Sequence, residues 1–93
     1  MSEAALQEAV IACATLLGWE HFHAYDMRRS DTGWPDLLLL KPPRMLVLEL
    51  KTERGKVSPE QEGWLALWAA CGAMTAVIRP SDWHAGRVEA LLR

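Results

Sequence analysis

Two cysteines in 93 residues, neither in a C-x-x-C pair, leave this chain without a disulfide framework or a thiolate zinc cage. Cys13 and Cys71 stand in separate apolar stretches. There they read as buried thiols packing like small hydrophobes, and a reduced, cytoplasmic setting is expected. No basic leader precedes an apolar run and no apolar span reaches membrane length, so neither export nor membrane insertion is expected. Charge of one sign is lacking too. Twelve acidic and ten basic residues give a net −2, whereas a nonspecific DNA coat protein would be strongly basic. No Ser/His/acid set for acyl transfer is apparent, and nothing calls for an organic cofactor. Repeats, low-complexity segments and linkers are also missing, so residues 1–93 are expected to form one domain.

What is abundant is apolar surface, with 51% hydrophobic residues and five tryptophans. A chain this short buries only about 60–65% of its unfolded surface. Some of that tryptophan is therefore expected at a subunit interface. The basic residues are also unevenly spread: Arg28, Arg29, Lys41, Arg44, Lys51, Arg54 and Lys56 are seven of the ten. A basic half in a nearly neutral protein suits a site that binds a nucleic-acid backbone.

In chain order, residues 3–17 read as a helix with Ser2 as N-cap and Gly18 as stop. Its expected apolar stripe is Leu6, Ala9, Val10, Cys13, Leu16 and Leu17. Glu8 lies among Ala4, Ala5, Ile11 and Ala12. That company makes it either a half-buried group pointing at something or a surface glutamate beside small residues. Residues 19–26 read as a short strand carrying His21 and His23 on one face; without a third ligand nearby they make a poor metal site. Residues 27–35 are a loop. The leucine run 36–41 and the returning run 45–51 form a hairpin around Pro42, Pro43 and Arg44. Continuous hydrophobicity there implies cover on both faces of the sheet. Ser58-Pro59-Glu60-Gln61 opens a helix to about Cys71 with Trp64, Leu67, Trp68 and Cys71 as its stripe. A strand over 74–79 and a closing helix over 81–93 complete an α-β-β-β-α-β-α order.

The hairpin carries the chemistry. Glu49 and Lys51 project to the same side of their strand, roughly 7 Å apart at about 3.4 Å per residue. The turn brings Asp36 close to residues 49–51 across the ladder. Carboxylates gathered in this way stay ionised together only if a cation compensates them, and hard oxygen ligands suit Mg²⁺ or Mn²⁺. Lys51 could stabilise a phosphate or orient the attacking water. The plainer alternative is a strand-end salt bridge between Glu49 and Lys51, with Asp36 capping a turn.

The ordered set Gly33-x-Pro35-Asp36, Glu49-x-Lys51, Gly55, Ser58-x-x-Gln61 and an aromatic helix ending at Gly72 resembles the VRR-NUC family, a branch of the PD-(D/E)XK nuclease superfamily. The likeness spans about residues 8–79. It implies an α/β, restriction-endonuclease-like core with a mixed central sheet flanked by helices. By that resemblance Asp36 and Glu49 are metal ligands, joined by the Leu50 carbonyl and by Glu8 from the first helix, and Lys51 is the catalytic lysine. Gln61 matches the family's glutamine, although a capping box also explains it. Arg28, Arg29, Arg54, Lys56 and Ser58 would meet nucleic acid. Trp34 is bulky where the motif leaves the position open. The resemblance to stand-alone phage and bacterial members implies a Mg²⁺- or Mn²⁺-dependent DNA endonuclease acting as a homodimer on branched DNA such as Holliday junctions. A flap, single-strand or nicked-duplex nuclease is the nearest alternative. A noncatalytic nucleic-acid-binding subunit of the same fold is the other.

Overall fold

The Ser2 hydroxyl accepts the Ala5 amide at 3.1 Å and starts the first helix, α1, over Glu3–Leu16. The structure, a computed structural model, describes residues 1–23 and 32–93. After α1 come β1 (Glu20–His23), β2 (Leu37–Lys41), β3 (Arg44–Leu50), α2 (Pro59–Ala70), β4 (Met74–Ile78), α3 (Pro80–His84) and α4 (Arg87–Leu92). The strands form one sheet in the order β1-β2-β3-β4. The first three run antiparallel, and β4 joins β3 in parallel after the α2 crossover. This is the expected mixed sheet in the expected order, with one change. The closing helix is two short pieces, because Gly86 adopts φ 76 and breaks it. Among the described residues no helix is long and apolar enough to cross a membrane.

Two faces of the sheet are treated differently. Leu37, Leu39, Leu46, Leu48 and Leu50 project to one side and meet Leu6, Val10 and Ala14 of α1 with Val88 and Leu92 of α4. The α1 stripe is therefore rotated from the expected one. At about 100° per residue, residues 6, 10 and 14 lie in a line. Leu16 lies opposite that line and is 86% exposed.

On the other side, α2 packs over β3 and β4. Residues 46–50 of β3 are all buried, as continuous hydrophobicity implied, but β2 is not covered twice: Leu40 is 40% exposed, and Phe22 of β1 is 60% exposed. No residue of α2 is fully buried. Its expected core stripe instead lines an open apolar groove of Trp64, Leu67, Trp68 and Cys71. Cys71 is thus an exposed thiol, contrary to expectation, while Cys13 is half-buried and its pKa is raised by that burial.

Two residues of the basic half serve the fold. Lys41 and Arg44 flank the hairpin turn, at the far end of the strands from Asp36 and Glu49. Lys41 Nζ donates to the Leu17 carbonyl at 2.7 Å, satisfying the end of α1. Arg44 donates to the carbonyls of Leu91, Leu92 and Arg93 at 3.1–3.3 Å and stacks 4.6 Å above the Trp19 ring. Trp19 Nε1 shares the Leu92 carbonyl at 2.9 Å. Replacing Arg44 by methionine should therefore cost about 2 kcal/mol, read as a melting temperature lower by roughly 8–15 °C. An unchanged melting temperature would contradict this assignment.

Candidate active site

The register of the hairpin pairs Leu37 with Leu48. One step further along, Asp36 stands opposite Glu49. β2 ends there, and the Asp36 side chain takes over from its backbone: Oδ2 accepts the Leu50 amide at 2.8 Å. Glu49 and Asp36 thus share one face and one end of the sheet.

Among the described residues Glu49 is the one charged residue with a fully buried side chain, at 2% exposure. Its Oε1 accepts from Gln61 Nε2 at 2.9 Å and lies 3.8 Å from Lys51 Nζ. Its Oε2 is buried without a hydrogen-bond donor. Burial raises the Glu49 pKa to about 8, aided by hydrogen bonding to the Asp36 carboxylate and by its charge. Lys51 opposes the shift and Glu3 adds to it. As an acid, Glu49 can donate to Asp36; as a carboxylate, it leaves Oε2 unpaired. A cation at that oxygen would satisfy it, and two facing carboxylates suit Mg²⁺ or Mn²⁺ better than a soft metal. The residues present fit such an ion.

Gln61 serves both readings that its sequence left open. Its carbonyl accepts the Ser58 amide at 2.9 Å while its own amide donates to Ser58 Oγ at 3.1 Å, closing the box that starts α2. The remaining NH₂ is what reaches Glu49. One side chain therefore ties the helix start to the carboxylate. Gly33 sets where that helix start sits. It adopts φ 84, and a Cβ there would come within 2.5 Å of the Glu60 carbonyl carbon and 2.8 Å of Gln61 N.

The other expected site residues are distributed as follows. The Leu50 amide is committed to Asp36. Arg54 and Lys56 are exposed in the loop after Lys51, and Ser58 is half-buried in the helix cap. Arg28 and Arg29 lie outside the described residues, as do the end of the expected 19–26 strand and most of the 27–35 loop.

Glu8 stands apart from the carboxylate pair. It is exposed, because it falls two residues from both Leu6 and Val10 and so points away from the core-facing line of α1. The helical carboxylate whose charge bears on Glu49 is Glu3. His21 and His23 stack at 6.1 Å, and His23 Nδ1 pairs with Gln7 Nε2 at 3.1 Å. Among the described residues no three His, Cys, Asp or Glu side chains are grouped to hold a metal, so the carboxylate pair stands without a third such ligand.

Sequence reasoning also missed Arg79. It donates to the carbonyls of Thr52, Glu53 and Gly55, and so shapes the loop that follows Lys51. As an arginine just before a proline it read only as the end of a strand. Glu3 carried no usable signal, because an acidic residue in a first helical turn is explained by the helix dipole alone.

The model of the VRR-NUC domain family matches residues 1–82. No curated protein matches the chain. Among solved structures, the fold is similar to that of Hjc, a Holliday junction resolvase from the archaeal hyperthermophile Archaeoglobus fulgidus, with a TM-score of 0.60. That similarity covers 82% of this chain and 67% of the resolvase at 16% sequence identity, so it is a likeness of fold.

Proposed function

Because this chain belongs to the VRR-NUC family of nucleases, we propose that it is a divalent-metal-dependent DNA endonuclease acting on branched DNA, with Asp36 and Glu49 as metal ligands and Lys51 as the catalytic lysine. The observation that carries the reading is the buried Glu49 carboxyl, with one oxygen lacking a donor beside a second carboxylate. Such a group weakens a fold unless it has a use.

Asp36, Glu49 and the Leu50 carbonyl would hold Mg²⁺ or Mn²⁺. When bound, the ion supplies Lewis-acid stabilisation of charge on the phosphate and a more acidic water. The chain does the remainder. Gln61 holds Glu49 through Oε1, which keeps Oε2 available. Lys51, only 13% exposed, carries its ammonium beside Glu49, where it can meet a phosphate oxygen or the attacking water. Arg54, Lys56 and Ser58 follow directly in the chain and suit the DNA backbone, whose contacts position a substrate without reading its sequence.

Branched DNA is the preferred substrate class because a protein sharing this fold is, by its name, a Holliday junction resolvase. A junction offers two symmetric cutting points, which a two-fold dimer would meet. The apolar groove along α2 and the exposed Phe22 provide a surface for that dimer.

The test mixes the protein with a labelled four-way junction and a linear duplex, with and without Mg²⁺ or Mn²⁺. Junction cleavage in metal, reduced about 10²–10³-fold by Lys51→Ala, is expected. No cleavage in either metal would overturn the reading, as would equal cleavage by the variant.

A further inference from the structure

Three backbone carbonyls in the loop after Lys51 turn towards a single point, an arrangement that is repulsive unless a cation sits among them. Arg79 Nη1 is that cation. It donates to Thr52 O at 2.8 Å, Glu53 O at 3.2 Å and Gly55 O at 2.7 Å. The loop's own backbone contributes one turn bond, from Gly55 N to Thr52 O at 3.2 Å. The root of the Arg79 side chain is fixed, since its backbone amide donates to Asp82 Oδ2 at 2.8 Å and Asp82 is paired with Arg87 at 2.8 Å. A second tie runs from the Ser81 amide to Glu53 Oε1 at 2.9 Å.

The loop is bound to β4 at its root as well, by Lys51 N donating to Ile78 O at 3.0 Å. Its far end, Gly55, lies along the Lys51 side chain: a Cβ added to Gly55 would stand 3.5 Å from Lys51 Cδ. Gly55 therefore borders the space that the lysine's methylenes occupy. A neighbour fixed there limits the rotamers open to Lys51 before substrate arrives. Arg54 and Lys56 flank Gly55, so the same clamp aims them.

We propose that Arg79 is a positioning residue for Lys51, acting through the Gly55 backbone. This deepens the nuclease reading and rests on it for the role of Lys51.

The experiment is a double-mutant cycle on one branched DNA with Mn²⁺, using wild type, Arg79→Gln, Lys51→Ala and the double variant. Arg79→Gln should lower kcat by about tenfold to a hundredfold, the scale of a small misplacement of a catalytic group. It should leave Mn²⁺ affinity unchanged. In the Lys51→Ala background the same change should cost little more, because both act on one step. Arg79→Lys, which keeps a cationic donor, should recover part of the loss. Equal losses in both backgrounds would indicate a merely structural arginine and overturn the proposal. Amide hydrogen exchange at Gly55 is the readout independent of cleavage: it should speed up in Arg79→Gln, and an unchanged rate overturns the proposal. If wild type cleaves nothing, the nuclease reading fails by itself, and the exchange rates still decide whether Arg79 sets the loop.

Discussion

Replacing Glu49 by glutamine is expected to abolish cleavage and to make the metal-free protein more stable than wild type in alkaline solution. Glutamine keeps the shape of the side chain but can neither bind a hard cation as an anion nor become charged. The stability effect follows from where the proton sits. In the unfolded chain the Glu49 carboxyl titrates near 4.5, and in the fold near 8. Between those values the folded state holds a proton that the unfolded state has lost. Stability therefore falls by up to about 1.4 kcal/mol per pH unit as pH rises. The contribution is fully present below about pH 4.5 and is lost once pH has passed through the folded value near 8.

Glu49→Gln removes that slope. Denaturant melts near pH 6 and near pH 9 should show a loss of a few kcal/mol in wild type that is largely missing in the variant. A divalent ion should reverse the effect in wild type alone, because binding needs the carboxylate and expels its proton. Titration of Mn²⁺ below pH 8 should accordingly release close to one proton per site, measured in two buffers of different ionisation enthalpy. Parallel pH slopes in wild type and variant, or cleavage that survives the substitution, would contradict the assignment.

The convergence of Asp36 and Glu49 was legible because two prolines fix the hairpin turn, and strand alternation then dictates which side chains meet. The Ser58-Pro59-Glu60-Gln61 start of α2 was legible for a similar local reason, since a capping box is a matter of four consecutive residues. What was not legible depends on how elements sit against one another. The sequence of α1 contains Glu3 and Glu8, and choosing between them requires knowing which line of the helix faces the sheet. That line proved to be Leu6, Val10 and Ala14. In the sequence Lys41 and Arg44 count with Arg54 and Lys56 in one basic half. Only the fold reveals that the first two are spent on the carbonyl ends of α1 and α4. The α2 stripe misled for the opposite reason: its apolar residues are real, but the helix covers half a sheet, so Leu67 is left 57% exposed.

Gly33→Ala is the change expected to damage fold and site together. Gly33 adopts φ 84, in the left-handed region, where a Cβ costs about 1–2 kcal/mol. The added methyl would meet Glu60 C at 2.5 Å, Glu60 O at 2.7 Å and Gln61 N at 2.8 Å. All three are backbone atoms at the start of α2, so no side-chain rotation relieves the contact, and the helix start must shift. Such overpacking adds roughly 1–3 kcal/mol. Together the two terms are about 3 kcal/mol or more, a fall in melting temperature of at least about 10 °C for a domain of this size.

Gln61 moves with that peptide, and with it goes the 2.9 Å hydrogen bond to Glu49. Folded Gly33→Ala molecules, assayed well below their melting temperature, should then cleave no faster than Gln61→Ala. Combining the two substitutions should add little to the loss in kcat while keeping the loss in stability. A Gly33→Ala protein that melts like wild type would show that α2 is free to retreat. One that melts low yet cleaves at the wild-type rate would show that Glu49 does not depend on Gln61 for its orientation.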